Sequence, residues 1–158
     1  MAFSIDKKPD GARLVVVMKG NIDEDAQFSP LEVGAVNVVV LDLAGVITID
    51  SIGMRNWIKW VKAMPESLRL SVRRCPKVIV NQINMIAGFL PATAKIDSFY
   101  VPYYANVSGS ETMVLFENGR EFKDGEVQAA PEVKDDTGEI MEMDVTDAYF
   151  KFLRRHKT

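Results

Sequence analysis

The stretch Val36–Met64, VNVVVLDLAGVITIDSIGMRNWIKWVKAM, decides the reading of this chain. It starts as a nearly continuous apolar run, Val36 to Leu43, interrupted only at Asn37 and Asp42. Val38, Val39 and Val40 are β-branched, and branching at Cβ favours an extended backbone. A strand with so few polar positions is normally buried on both faces. Asp50, Ser51 and Gly53 then mark a turn into a helix, because Asp and Ser oxygens accept the first unpaired N–H groups of a helix. Met54, Trp57, Ile58 and Val61 follow at helical spacing and share one face. Arg55, Asn56, Lys59 and Lys62 fall mostly on the other, and Pro65 stops the helix. The pattern predicts a central strand whose loop delivers a helix N-terminus to the edge of a sheet.

Upstream, Phe3–Lys7 and Arg13–Lys19 read as two strands joined by the turn Pro9-Asp10-Gly11 into an antiparallel hairpin. Gly20–Asp23 extends it loosely, and Glu24–Pro30 is a polar loop anchored by Phe28. Downstream, Leu68–Arg73 alternates strictly, so one face enters the core while Arg69, Ser71 and Arg73 face away. Cys75-Pro76 opens a second helix. Ile79, Val80, Ile83, Ile86, Ala87 and Leu90 are its buried stripe, and Gly88 and Pro91 mark its end. Lys95–Tyr104 is an aromatic-rich, strand-like segment. The predicted order is β-β-β-α-β-α-β: an α/β fold with a mixed sheet and helices mainly on one side. Val39, Leu41, Trp57, Ile58, Val61, Ile83 and Ile86 are expected to be buried together.

Composition narrows the function. The chain has 158 residues, 47% of them hydrophobic, enough for one domain with a small appendage. A net charge of −3 gives no overall pull toward nucleic acid or an anionic membrane. One cysteine, Cys75, excludes an internal disulfide and a Cys-only zinc site. Asp6, Lys7, Lys8 and Asp10 stand where a signal peptide needs an apolar core. No apolar run approaches the roughly 20 residues of a membrane span. The expectation is a soluble cytoplasmic protein without a membrane partner.

Catalytic chemistry is sparse. The single histidine, His156, reads with Arg154 and Arg155 as a solvated, cationic helix end. No Ser-His or Cys-His pair can be built elsewhere. Cys75 stands beside Arg73, Arg74 and Lys77, surroundings that can lower a thiol pKa, yet a structural role fits it better. Asp23, Glu24 and Asp25 read as a solvated loop rather than metal ligands. Gly45 and Gly53 fit no phosphate-loop spacing. The expectation is no enzyme, no cofactor and no metal.

Val46-Ile47-Thr48-Ile49-Asp50-Ser51-Ile52-Gly53-Met54, at the end of a buried strand and followed by an amphipathic helix, resembles the STAS domain. That family includes anti-sigma-factor antagonists and the cytoplasmic tails of sulfate transporters. The resemblance covers about residues 3–101 and implies a STAS-like domain over 1–101. It implies a non-catalytic, regulatory protein-interaction module. Its partner-facing residues would be Thr48, Asp50, Ser51, Ile52, Gly53 and Met54. The implied partner is a signalling protein, a kinase-type anti-sigma factor or similar, and a homodimer is left open. Phosphorylation-controlled members carry D-S-S-G or D-S-T-G and are modified just before the glycine. Here that position is Ile52, which has no hydroxyl. Ser51 and Thr48 retain hydroxyls, and Ser51 is the remaining candidate phosphoacceptor, though it reads better as a cap. The alternative function is a small-molecule or anion site at the helix N-terminus, Asp50–Gly53. Arg69, Arg73, Arg74 and Lys77 either lie near that sheet end or face water.

Residues 102–158 form the predicted appendage. Thr112–Glu117 and Arg120–Lys123 flank Asn118-Gly119, a strong hairpin signal, and Asp124-Gly125 makes a second turn before Glu126–Ala129. Pro131–Gly138 is loose, Glu139–Asp144 is a short strand, and Thr146–Arg155 a terminal helix. This layout resembles the zinc-ribbon tail of some bacterial STAS-like proteins. Tyr103-Tyr104, Met141-Glu142 and Tyr149-Phe150-Lys151-Phe152-Leu153 match its frame. The family's cysteine pairs would fall at Ala105 and Ser108 and at Lys134 and Thr137, and no such set holds zinc. Phe116, Phe122, Met113, Tyr149 and Phe150 are expected to hold the tail by packing instead. Elemental analysis of the purified protein should therefore find no stoichiometric zinc, and a chelator should leave its thermal unfolding unchanged.

Overall fold

β1 (Ser4–Asp10) and β2 (Arg13–Ile22) pair antiparallel around Gly11, which takes the left-handed backbone at φ 61°. β3 (Val38–Ile49) adds parallel to β2. Helix α1 (Ser51–Lys62) leads to β4 (Arg69–Arg73), and α2 (Lys77–Met85) leads to β5 (Lys95–Ile96), both strands again parallel to their neighbours. The sheet order is β1-β2-β3-β4-β5. The computed structural model that gives this architecture describes residues 1–31 and 36–156. Positions 32–35, inside the predicted first unit, and 157–158, at the end of the predicted appendage, lie outside the described residues. The molecule is of the α/β class.

The strand order advances in one direction from β3 to β5. Parallel crossovers are right-handed, so α1 and α2 fall on the same face of the sheet. Burial agrees. Leu14, Val16 and Met18 of β2, Val39, Leu41 and Leu43 of β3, and Leu70 and Val72 of β4 share one apolar cluster with Trp57, Val61, Ile79 and Ile83. Val15 and Val40, one residue out of step, are buried but lie outside that cluster, as a two-residue period requires.

At Asp97 the chain changes sheets. Asp97 N–H donates to Val72 O at 2.8 Å, which ends β5 beside β4. β6 (Ser98–Tyr104) then leaves that sheet, although Cys75 N–H still donates to Ser98 O and Tyr100 N–H to Cys75 O. β6 pairs with β7 (Glu111–Glu117). β8 (Phe122–Lys123) and β9 (Glu126–Val127) form a separate small hairpin. β10 (Val133–Lys134) and β11 (Ile140–Met143) complete the second sheet, whose order is β10-β11-β6-β7. A 3-10 turn, Asp147–Phe150, and α3 (Phe152–Arg155) return the chain to α2. There Asn84 donates from Nδ2 to Tyr149 O and accepts from Phe152 N–H at Oδ1, both at 2.9 Å. Arg155 donates to Ile83 O and Asn84 O, carbonyls at the end of α2.

The structure corrects several expectations. Lys95–Tyr104 is two strands, because Asp97 bonds back to β4. β6 is continuous from Ser98 to Tyr104, and Phe99, Val101 and Phe116 belong to the same apolar cluster as Trp57. The second helix stops at Met85. Gly88 turns the chain at φ 86°, so Phe89 and Leu90 enter the core from a loop, while Ala87 is exposed. Asn118-Gly119 makes no hairpin: β7 is already paired to β6, and Asn118 N–H donates to Asp97 O. The hairpin forms at Asp124-Gly125 instead, where φ values of 54° and 81° match the turn that two-residue hairpins favour. The predicted terminal helix is a 3-10 turn followed by one short helical turn. Of the predicted core, Ile58 and Ile86 are only partly buried, and Trp60, which the sequence reading passed over, is 7% exposed.

Trp57 joins the helix layer to the sheet. It is fully buried, its indole N–H donates to Phe89 O at 2.8 Å, and its ring stacks on Phe89 with centroids 5.1 Å apart. Phe28 and Trp60 close over it at 6.1 and 5.8 Å. Trp57→Ala should lower the urea-unfolding free energy by about 3–5 kcal/mol, since it opens a cavity and strips Phe89 O of its donor. A loss well under 1 kcal/mol would mean that this cluster is not what holds α1 down.

Candidate functional site

The end of β3 and the start of α1 are built around one carbonyl. Ile22 O, at the end of β2, accepts the N–H of Asp50 at 3.1 Å. A β-carbon on Gly53 would sit 2.0 Å from the same oxygen, so only glycine lets the helix approach this closely. Asp50 is the N-cap: its Oδ1 accepts Gly53 N–H at 2.7 Å, and its main-chain oxygen accepts Met54 N–H at 2.8 Å. Ser51 is therefore the first helical residue rather than the cap. Neither its hydroxyl nor the N–H groups of Ser51 and Ile52 has a partner among the described residues, as the free end of a helix requires.

The six predicted partner-facing residues divide. Thr48, Asp50, Ser51 and Ile52 are exposed, Met54 is half-buried, and Gly53 is buried against β2. Thr48 Oγ1 donates to Asn21 Oδ1 at 2.9 Å, which ties its hydroxyl to the neighbouring strand. Ile52 is 45% exposed and Ile47, just before Thr48, is 52% exposed. Ile47 stands in the quoted motif, but the reading gave it no role. Two exposed isoleucines beside one helix start distinguish this surface from the charged outer face of α1.

Arg73 and Arg74 are not free cations beside this junction. Asp42, 2% exposed in the middle of β3, accepts from Arg73 Nε at 3.1 Å and from Arg74 Nη2 at 2.7 Å. Burial pushes the Asp42 carboxyl up, but the Arg74 hydrogen bonds, the Ala44 amide and Arg73 outweigh it and hold the group below its ordinary value. Cys75 is fully buried, and burial pushes its thiol up, so the neighbouring cations do not activate it. His156 is not a solvated end either. It is 9% exposed, and its Nδ1 lies 3.0 Å from Ala94 O. Asp23 Oδ1 accepts the N–H of Asp25, closing a local turn. No group of three or more His, Cys, Asp or Glu is placed to hold a metal ion among the described residues.

In the tail, the loop after β6 meets the turn between β10 and β11. Ser108 Oγ donates to Asp135 Oδ2 at 2.5 Å, and Thr137 Oγ1 donates to Asp135 Oδ1 at 2.6 Å. Glu139 accepts from the N–H groups of Val107 and Ser108. The Ser108 and Thr137 hydroxyls hold the Asp135 carboxyl down to about 2. Ala105 is buried, whereas the Lys134 side chain points to solvent and reaches Glu132. Asp135 is the residue that the sequence reading missed, although it lies between two positions that were singled out. Phe116, Phe122, Tyr149, Phe150 and Phe152 pack around Phe99, and the Tyr149 hydroxyl donates to Tyr100 O at 2.6 Å. Met113 does not join them: it is 45% exposed on β7, an edge strand.

No helix of the described residues is long and apolar enough to cross a membrane. No protein-family model matches the chain, and no curated protein matches it.

The Gly53–Ile22 approach gives a direct test. Gly53→Ala should force α1 off the end of β2 and cost about 1–3 kcal/mol, the usual penalty for overpacking. Ser51→Ala, which removes a hydroxyl without a partner, should stay within about 0.5 kcal/mol of the parent. Chemical denaturation of the two variants side by side measures both.

Proposed function

We propose that this chain is a STAS-like, non-catalytic regulatory module that binds a signalling protein through Thr48–Met54 in the cytoplasm. The single observation that carries this reading is Ile52. It stands half-exposed on the first helical turn, at a height set by the Gly53 contact. With Ile47 also exposed at the end of β3, it offers an apolar contact to a partner surface. The sheet order and the placement of both helices on one face support the STAS-like assignment. The Ser108–Asp135 hydrogen bond, between the two loops where the cysteine pairs would fall, supports descent of the tail from a zinc ribbon without its metal ligands. The full burial of Cys75, which pushes its thiol up, fits a non-catalytic module.

The anion-binding alternative is weaker at this helix. Asp50 already places a carboxylate on the Gly53 N–H, so an incoming anion meets like charge where it needs a donor.

A partner that reads Ile52 should be lost when charge is put there. Phosphorylation in a switchable relative would add nearly two negative charges, and Ile52→Glu imitates part of that. Pull-down from native lysate with the parent, Ile52→Ser and Ile52→Glu should show the glutamate variant losing its partner, with the serine variant largely retaining it. Circular dichroism should show all three folded. Equal recovery with Ile52→Glu would remove this surface from the interface and with it the proposed function.

A further inference from the structure

The other end of α1 borders a second feature, roughly 16 Å from Ser51 at the rise of an α-helix. A cavity of about 890 Å³ opens between the last turn of α1, the start of β4, the end of α2 and the C-terminal turn. Val61, Leu68, Leu70, Ile83 and Leu90 make its apolar wall. Three groups on the lining are basic: Lys62, Arg155 and His156. Glu66 is the one carboxylate there among the described residues. Neither Lys62 nor Arg155 forms an ion pair among the described residues. Arg155 is nevertheless held in place, because it donates to Ile83 O and Asn84 O.

His156 supplies the independent observation. The residue as a whole is nine-tenths buried, while its unpartnered Nε2 is not among the buried atoms. A carbonyl only accepts hydrogen bonds, so the contact with Ala94 O places a hydrogen on Nδ1. In the neutral ring Nε2 then carries a bare lone pair. Among the described residues Nε2 has no partner, and the residue lines the cavity. An apolar chamber with two cations that form no ion pair among the described residues, and an imidazole nitrogen without a partner among them, matches a specific chemistry.

We infer that this cavity binds a small amphipathic carboxylic acid, its apolar chain against Val61, Leu68, Ile83 and Leu90 and its carboxyl group at His156 Nε2 and Arg155. One proton is shared between the carboxyl oxygen and Nε2, taken from the acid or, for the carboxylate, from solvent. Lys62 and Arg155 together outnumber Glu66 on the lining. Sites of this size ordinarily hold small ligands with a mostly apolar wall and a few convergent polar groups. Burial holds the imidazole below its ordinary value in the empty protein, with the Ala94 contact opposing and Arg155 reinforcing that shift, so a bound carboxyl group alters its state.

His156 is the only histidine in the chain, so its ring Cε1–H is a single, assignable NMR signal. The 158-residue chain is titrated with decanoate below its micelle concentration, and separately with 1-decanol. Decanoate should shift the His156 signal saturably, and decanol, lacking the charge-assisted bond, should bind at least about tenfold more weakly. Ala87→Trp places a large ring on the exposed rim without touching the core; it should abolish the shift and leave the circular dichroism unchanged. An unmoved His156 signal overturns the inference. So does equal affinity for decanol, or a folded Ala87→Trp protein that binds decanoate as the parent does.

Discussion

A carboxylate in the middle of a central strand has to be neutralised, and the solution at Asp42 shapes much of this molecule. The group is 2% exposed, between β2 and β4. An unpaired charge in such a place would cost several kcal/mol or more. Arg73 and Arg74, consecutive at the exit of β4, supply the countercharge. For both to reach one carboxylate the backbone has to turn sharply, and Arg74 does so at φ 51°. That left-handed conformation costs a non-glycine residue about 1–2 kcal/mol. Ser98 Oγ accepts the Arg74 N–H at 2.8 Å and fixes the turn. The ion pair, the strained residue and the crossing from the first sheet to the second are therefore one arrangement. β6 starts where it does because Ser98 is part of it.

The same economy holds at the candidate interface. Ile22 O fixes the height of Asp50 and excludes any side chain at Gly53. Thr48 is tied to Asn21, so β2 supports both ends of the turn. The exposed Ile52 is thus presented by a rigid mount rather than a free loop. A surface ordered before its partner arrives loses less conformational entropy on binding.

What could be read in the sequence followed from local rules. The change from a near-continuous apolar run to helical spacing at Asp50 located β3 and α1 within a residue or two, because both signals sit in one short window. The strict alternation of Leu68–Arg73 located β4 in the same way. Failures came where distant residues decided. Asp42 was visible only as an interruption, since its partners lie 31 and 32 residues on. Asn118-Gly119 has strong turn chemistry, but the strand before it was already committed to β6. His156 looked like a frayed end because burial by Ala94, 62 residues earlier, leaves no local trace. At the candidate site the cap and the glycine were legible as residue types. The exposure of Ile47 was not, since an apolar residue near the end of a buried strand gives no sign of where the burial stops.

The clasp of the C-terminal turn on α2 bears on how the protein is made. Synthesis delivers the chain from its N-terminus, and helices and early strands can organise while later residues are still inside the ribosome. The first five strands need nothing beyond Asp97 for their main-chain ladder. The end of α2 is different: the side chain of Asn84 and the carbonyls of Ile83 and Asn84 wait for Tyr149, Phe152 and Arg155, some 65 to 72 residues later. At about 5–20 residues per second that interval lasts several seconds. During it a nascent first sheet carries a half-finished helix and an uncovered apolar flank. Chaperone engagement, or stalling by a slow codon run, would act most strongly in that window, between emergence of the first sheet and release of the last turn.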